Sequence, residues 1–283
     1  LYFWPPSNVN SGKAAVSLTS SIVDFKGASN IKFFGFIFEN ARDSAVNMDT
    51  TSSHNMIEKS VIRNSSIGAI IHGRDNGIWG SEVYNIDDDA IMLNGGDPVR
   101  LTNGSNYVVN SKIHTYALRN KMYRAGVNMS GGYANDQKTG GVGNRARYNE
   151  IYNAPHNAVL VQANNMIVDY NKISNVTREC VDCGAIYAWY QWQQRGNVYR
   201  YNIFKSIKDT VGGREGNHQL RNIGVYFDMD VDQSIIYGNI FDDVSTGVLF
   251  NGGRDTTIEN NIFVNSNEPL YLGVAGMTFG SNT

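Results

Sequence analysis

The sequence predicts an all-β chain wound as a right-handed parallel β-helix, a solenoid of about nine rungs. Composition is the first sign: of 283 residues, 35 are Asn and 29 Gly, but only 5 are Pro. Frequent Asn and Gly beside β-branched residues disfavour helices and favour many short strands closed by small polar turns. The second sign is a repeat in which a small polar residue or Gly stands two residues before a large apolar one. The slot is filled by Gly35, Ser60, Ser81, Ser111, Asn149, Asn171, Asn202, Asn239 and Asn261, at spacings of 25, 21, 30, 38, 22, 31, 37 and 22 residues. The third sign follows each copy by about ten residues, a small residue opening a short apolar run such as Ala69-Ile70-Ile71, Ala158-Val159-Leu160-Val161 or Gly247-Val248-Leu249-Phe250. A period near 22 with two or three short strands per repeat is the pattern of a parallel β-helix.

Residues 1–28 read as a lead-in and residues 29–283 as the solenoid. The opening Leu1-Tyr2-Phe3-Trp4-Pro5-Pro6 has no initiator Met and no signal layout, and neither end offers a capping helix. An excerpt of a longer chain is therefore expected. Rungs stack at the strand spacing of roughly 4.8 Å, so Asn149, Asn171, Asn202, Asn239 and Asn261 are expected in one column, each amide bonding those above and below. A propeller needs a period near 40, and a βαβ fold needs amphipathic connectors; neither pattern is present. The matching turns Gly73-Arg74-Asp75 and Gly253-Arg254-Asp255 read as structural.

Charge narrows the partners. Lys and Arg total 24 against 26 Asp and Glu, a formal net charge of −2 without a basic run. This argues against nucleic acid and anionic membrane surfaces, and no apolar stretch approaches a membrane span.

In a β-helix, insertions project from one face and build the groove. The long insertions are Tyr116 to Gly143, the stretch around Thr177 to Cys183 with Trp189 to Gln194, and Lys208 to Asn222. The site is expected between about Pro155 and Asp230. Asp182 precedes the apolar strand Ala185-Ile186-Tyr187, and Asp228 closes the corresponding strand one rung later, Val225-Tyr226-Phe227. Paired carboxylates are the apparatus of glycoside hydrolysis. Along extended strands, however, they stand about seven residues apart, roughly 23 Å, so the loop before Cys183 must fold Asp182 back. The lateral offset predicts the wide separation of inverting enzymes, with Asp182, in the aromatic-flanked loop, as the acid.

Trp189 and Trp192 read equally as sugar-stacking rings or as a small core, and Tyr201 reads as core. His156, one rung before Asp182, is expected to line the groove with Glu179, Tyr187, Arg195 and Asp230. Cys180 and Cys183 flank Asp182 as a local disulfide or as two buried thiols; no second ligand pair suggests zinc, and no strand-to-helix turn suggests redox chemistry. No metal or cofactor is expected. Asp87-Asp88-Asp89 would suit calcium but reads better as a solvated turn.

Tyr148-Asn149-Glu150-Ile151-Tyr152-Asn153-Ala154-Pro155-His156, Arg178-Glu179, Asp182-Cys183-Gly184-Ala185-Ile186-Tyr187, Arg195-Gly196-Asn197-Val198 and Gly224-Val225-Tyr226-Phe227-Asp228 resemble bacterial β-helix proteins of polysaccharide degradation. The pattern is most similar to glycoside hydrolase family 141, and the resemblance spans essentially the whole chain. It implies a hydrolase acting on a polysaccharide, two catalytic Asp at the positions of Asp182 and Asp228, and a secreted, periplasmic or cell-surface location. The chain departs from the family at Trp189-Tyr190-Gln191-Trp192, where Gly-Arg-Asp-Trp is frequent, and at Asp228-Met229-Asp230, where paired Asp is frequent. A polysaccharide lyase or epimerase acting on a uronate through Arg195, Arg200, Arg221 or His218 is the alternative enzyme. A non-catalytic carbohydrate-binding solenoid is the third reading.

Overall fold

The computed structural model describes residues 16–131, 140–189, 193–208 and 222–274. Among these residues there is no helix, and each turn of the chain visits three parallel sheets. Sheet I has ten strands, from Ser21–Phe25 to Glu268–Gly273. Sheet II has nine, from Lys32–Phe34 to Thr257–Glu259, and sheet III nine, from Ile37–Glu39 to Ile262–Val264. Nine full rungs thus stack as expected. The coil begins earlier than residue 29: Ser21–Phe25 pairs in parallel with Ser44–Met48, and Phe25 is buried.

Register follows from burial of one residue per short strand. In sheet II, Ile57, Ile78, Val108, Ala146 and Val168 stack as one interior column; in sheet III, Phe38, Ile62, Val83, Ile113, Ile151 and Ile173 form another. Because strand side chains alternate faces, a slip of one residue would expose every member of a column. The core is therefore a set of aliphatic stacks, continued by the parallel rings of Phe204, Phe241 and Phe263, whose centroids lie 4.6 and 4.9 Å apart.

The Asn column lies inside the turn joining sheets II and III. Asn149 Nδ2 donates to Asn171 Oδ1, Asn171 Nδ2 to Asn202 Oδ1, Asn202 Nδ2 to Asn239 Oδ1 and Asn239 Nδ2 to Asn261 Oδ1, each at 3.0 Å. Each Oδ1 also accepts the backbone N–H of the slot below, so one amide satisfies turn groups that burial would otherwise strand. Ser60, Ser81 and Ser111 continue the column by accepting the same backbone N–H. The first rung's slot belongs to Phe36, whose N–H meets Ser60 Oγ 24 residues on; Gly35 sits one residue earlier, in the outer turn. A second ladder, Asn55, Asn76, Asn106 and Asn144, closes the turn between sheets I and II. Its signal in the sequence is the Asn that stands just before the sheet II strands starting at Met56, Gly77, Tyr107 and Arg145.

Just outside the first ladder the backbone is left-handed in every rung, with φ from 46° to 74° at Gly35, Lys59, Gly80, Asn110, Tyr148, Tyr170, Tyr201, Gly238 and Asn260. Tyr201 is therefore not core. It projects outward, 38% exposed, and stacks on Tyr170 at 4.9 Å.

Candidate functional site

The outer face of sheet I carries a second apolar cluster, Ala125, Leu160, Tyr187, Ile223, Tyr226 and Leu249, with Tyr123 and Trp189 against it. Alternation explains its Tyr and Leu members. In Ile223–Asp228, Val225 and Phe227 point into the solenoid, while Tyr226 and Asp228 point out. Tyr187 is level with Tyr226, and Trp189 with Asp228, across neighbouring rungs.

Asp182 reaches this face through a fold-back. The N–H groups of Thr177 and Glu179 donate to the carbonyls of His156 and Pro155, laying the loop along the preceding rung. Cys180 and Cys183 form a disulfide, and Asp182 between them adopts φ 66°. Such a conformation favours Gly, Asn or Asp among residues, and here it reverses the chain toward the sheet. Gly184 then passes close beneath Tyr226: an added Cβ would meet Tyr226 Cβ at 2.8 Å. Room for the phenol to lie across toward Asp182 depends on that glycine.

The result is a convergence. Tyr226 Oη donates to Asp182 Oδ1 at 3.0 Å and also interacts with the Asp228 carboxylate. Tyr187 Oη donates to Asp228 Oδ2 at 2.9 Å, and Asn251 Nδ2 donates to Asp228 Oδ1 at 3.2 Å. Two contacts sharing one phenolic oxygen limit the separation of the nearest carboxylate oxygens to at most about 6.5 Å. The wide separation expected from the strand offset is corrected here, because the disulfide loop removes the offset. Burial, then the Asp228 charge, raise the Asp182 pKa against the lowering effect of the Tyr226 hydrogen bond. Burial and the two carboxylates push the Tyr187 and Tyr226 phenols well above their ordinary range, so both remain donors.

Aromatic rings wall the pair on one side. Trp189 stacks on Tyr187 at 5.2 Å and on Tyr123 at 6.1 Å. Trp189 is half-buried, and Gln162 and Gln194 both donate to its carbonyl, fixing the strand end. His156 does not line the groove. It is 2% exposed, its Nε2 accepts the Tyr123 N–H at 3.4 Å, and burial lowers its pKa to about 4. A neutral His156 therefore supports Tyr123 from beneath. Its ring lies within 4.8 Å of both cysteine sulfurs, but these are bonded to each other, which leaves no thiolate to hold a metal.

Other expected site residues lie apart. Glu179 pairs with Lys121 in a separate hollow with Pro155 and Arg178. Arg195 is exposed in the turn toward sheet II, its N–H on Asn164 Oδ1. Asp230 follows the strand at φ 48°. Arg200 lies on sheet II against Asp169. Trp192, His218 and Arg221 lie outside the described residues. Asp88 pairs with Arg124, and buried Asp89 accepts from the Ala125 N–H and Asn128, its pKa raised by burial to about 8. Neither fits a solvated turn, and a neutral Asp89 is a poor calcium ligand. Sequence reasoning missed Tyr226 and Asn251. Strand alternation was the available signal for Tyr226, which stands two residues before Asp228.

No family model and no curated protein matches this chain. Solved structures match throughout. An alginate lyase from Paenibacillus sp. str. FPU-7 superposes with TM-score 0.60 at 14% identity, over 83% of this chain and 76% of that one. A glycoside hydrolase gives 0.55 at 13%, over 81% of this chain and 38% of that one. The A-module of a mannuronan C-5 epimerase from Azotobacter vinelandii gives 0.55 at 9%, over 85% and 64%. The chain is a right-handed parallel β-helix. Its structural neighbours include polysaccharide-active enzymes of three chemistries, and identity this low establishes the shared fold alone.

Proposed function

We propose that the chain is a glycoside hydrolase acting on a complex polysaccharide, with Asp182 as general acid and Asp228 as the second carboxylate. The observation that carries this reading is the meeting of both aspartates at the Tyr226 hydroxyl. Asp182, whose pKa is raised by burial, is the member of the pair suited to give a proton to the glycosidic oxygen; Asp228, held by Tyr187 and Asn251, takes the side of the anomeric carbon. Carboxylates that meet at one hydroxyl stand closer than the roughly 6.5–9.5 Å of inverting enzymes, so we assign Asp228 the nucleophile's role and retention of configuration. Tyr123 and Trp189 offer ring faces to a sugar. The motif resemblance to glycoside hydrolase family 141 agrees with this assignment, and the disulfide suits a secreted or cell-surface protein.

Lyase or epimerase chemistry fits less well. A uronate needs a cation against its carboxylate, whereas the groups that meet at the Tyr226 hydroxyl are two carboxylates. Tyr187 and Tyr226, held protonated, do not act as bases at neutral pH. Incubation with a panel of polysaccharides should release reducing ends without the ultraviolet absorbance of an unsaturated uronate. Appearance of that absorbance assigns a lyase instead, and a change of uronate configuration without cleavage assigns an epimerase.

The acid role carries a pH signature. Asp182 must be protonated, so rate falls as pH rises through its pKa. Tyr226→Phe removes the hydrogen bond that lowers that pKa. The alkaline limb of kcat/KM should therefore move to higher pH. A limb that stays in place, or moves down, removes Asp182 from the role.

A further inference from the structure

A hollow of about 640 Å³ opens on the outer face of sheet II, lined by Trp79, Tyr107, Val109, Asn110, Arg145, Arg147 and Tyr148. It lies on a different sheet from the aspartates, on earlier rungs. We propose that it is a second carbohydrate site, which seats one acidic sugar of a polysaccharide between Trp79 and Tyr148 with its carboxylate against Arg145. This rests on the reading of the chain as polysaccharide-active, but not on which reaction it catalyses.

The turn column supplies the first argument. Its left-handed backbone is least strained with Gly or Asn, as at Gly80, Asn110, Gly238 and Asn260. Three consecutive rungs instead carry Tyr148, Tyr170 and Tyr201, bulky residues in a conformation that disfavours them, and all are exposed. Their mutual stacking at 4.9 Å offsets part of that strain, yet it buries no core. Tyr148 ends the stack. Its ring stacks on Tyr170; toward the earlier rungs the same column holds Asn110 and Gly80, the Arg147 guanidinium borders the ring, and the hollow opens there.

Trp79 supplies the opposite wall. Trp79, Val109 and the Arg147 beside Tyr148 are in register on successive rungs, so the two walls stand roughly 9–10 Å apart in backbone level. A sugar ring in contact with an aromatic face on each side fills such a gap. Trp79 is 47% and Tyr148 50% exposed, so both rings are available.

Charge selects the sugar. The Arg147 guanidinium is 2.6 Å from Asp169 and 5.3 Å from the Tyr148 ring, a rigid edge to the hollow. Arg145 is exposed, 5.9 Å from the Tyr107 ring, and pairs with no carboxylate among the described residues. The nearby acids are already matched: Glu58 with Lys32, and Asp75 with His54 and Arg74. One uncompensated guanidinium beside two ring faces suits a uronic acid better than a neutral sugar.

The test uses the Asp182→Asn/Asp228→Asn protein, so that binding is read without turnover, and polygalacturonate and neutral galactan as probes in calorimetric titration. Adding Trp79→Ala and Tyr148→Asn, the latter copying the residue one rung earlier, should weaken polygalacturonate binding roughly tenfold or more. Arg145→Ala should weaken it with a reduced salt dependence and leave galactan unaffected. The same substitutions in the active protein should leave kcat on short neutral oligosaccharides unchanged. Polygalacturonate binding unaltered by the Trp79 and Tyr148 changes, or no binding by the parent, overturns the site. A protein that binds through these residues yet cleaves nothing overturns the hydrolase assignment and leaves the site standing. Thermal midpoints equal to the parent's exclude misfolding as the cause of any loss.

Discussion

Asp228→Asn should lower kcat by about 10²–10⁴-fold on polysaccharide while leaving the thermal midpoint nearly unchanged. Its side chain lies on the outer face of sheet I, bonded to Tyr187 and Asn251, and an amide keeps the shape of those contacts. Asp182→Asn should cost a similar factor on a natural glycoside, for a different reason. It removes the proton donor, so the loss should shrink toward parity on aryl glycosides whose leaving groups need no protonation. Exogenous azide should restore turnover to the nucleophile variant with a good leaving group, yielding the glycosyl azide of inverted configuration. The double variant should be little slower than either single one, because both act in one step. Full activity in either single variant on the true substrate contradicts the pair.

The largest stability effect should come from the interior ladder. Asn171 donates to Asn202 Oδ1 and the Ala146 carbonyl, and accepts from the backbone and side-chain amides of Asn149, all at 3.0 Å and all buried. Asn171→Leu strips the Asn149 N–H of its acceptor, at about 1–3 kcal/mol, and costs Asn149 Nδ2, the Ala146 carbonyl and Asn202 Oδ1 one bond each, so a loss of about 3–6 kcal/mol is expected. The thermal midpoint should fall by roughly 10 °C or more. Asn171→Ser should lose clearly less, because Ser60, Ser81 and Ser111 show that a hydroxyl still accepts the backbone N–H in this slot. Differential scanning calorimetry of the two variants reads the comparison directly. Equal losses would mean that the amide-to-amide links contribute nothing.

The fold was legible because a solenoid writes its period into the chain. The Asn slot and the apolar run recur whatever the insertions between them, and inward columns require one apolar residue per short strand. The error at Gly35 arose where the ladder has no polar member: Phe36 fills the slot, and only the Ser60 contact reveals it. Asp182 and Asp228 were visible as acids beside strands, but their distance was not. That distance depends on how the Cys180–Cys183 loop reverses, and nothing in the sequence period encodes a loop's path. The burial of His156 is not legible, because adjacency along the chain does not tell which face a residue takes; the loop at Thr177 and Glu179 packs over it. Tyr201 followed the general rule that large aromatics are interior, which fails where the turn backbone points them outward.

The most direct test of the catalytic pair is a crystal structure of the Asp182→Asn protein with an oligosaccharide isolated from its own polysaccharide digest. The scissile oxygen should lie within hydrogen-bonding reach of residue 182, the anomeric carbon about 3–3.5 Å from an Asp228 oxygen, and a sugar ring against Tyr123 or Trp189. An oligosaccharide bound with its glycosidic bond remote from both positions, or the residue 182 amide more than about 12 Å from the Asp228 carboxyl group, would contradict the account.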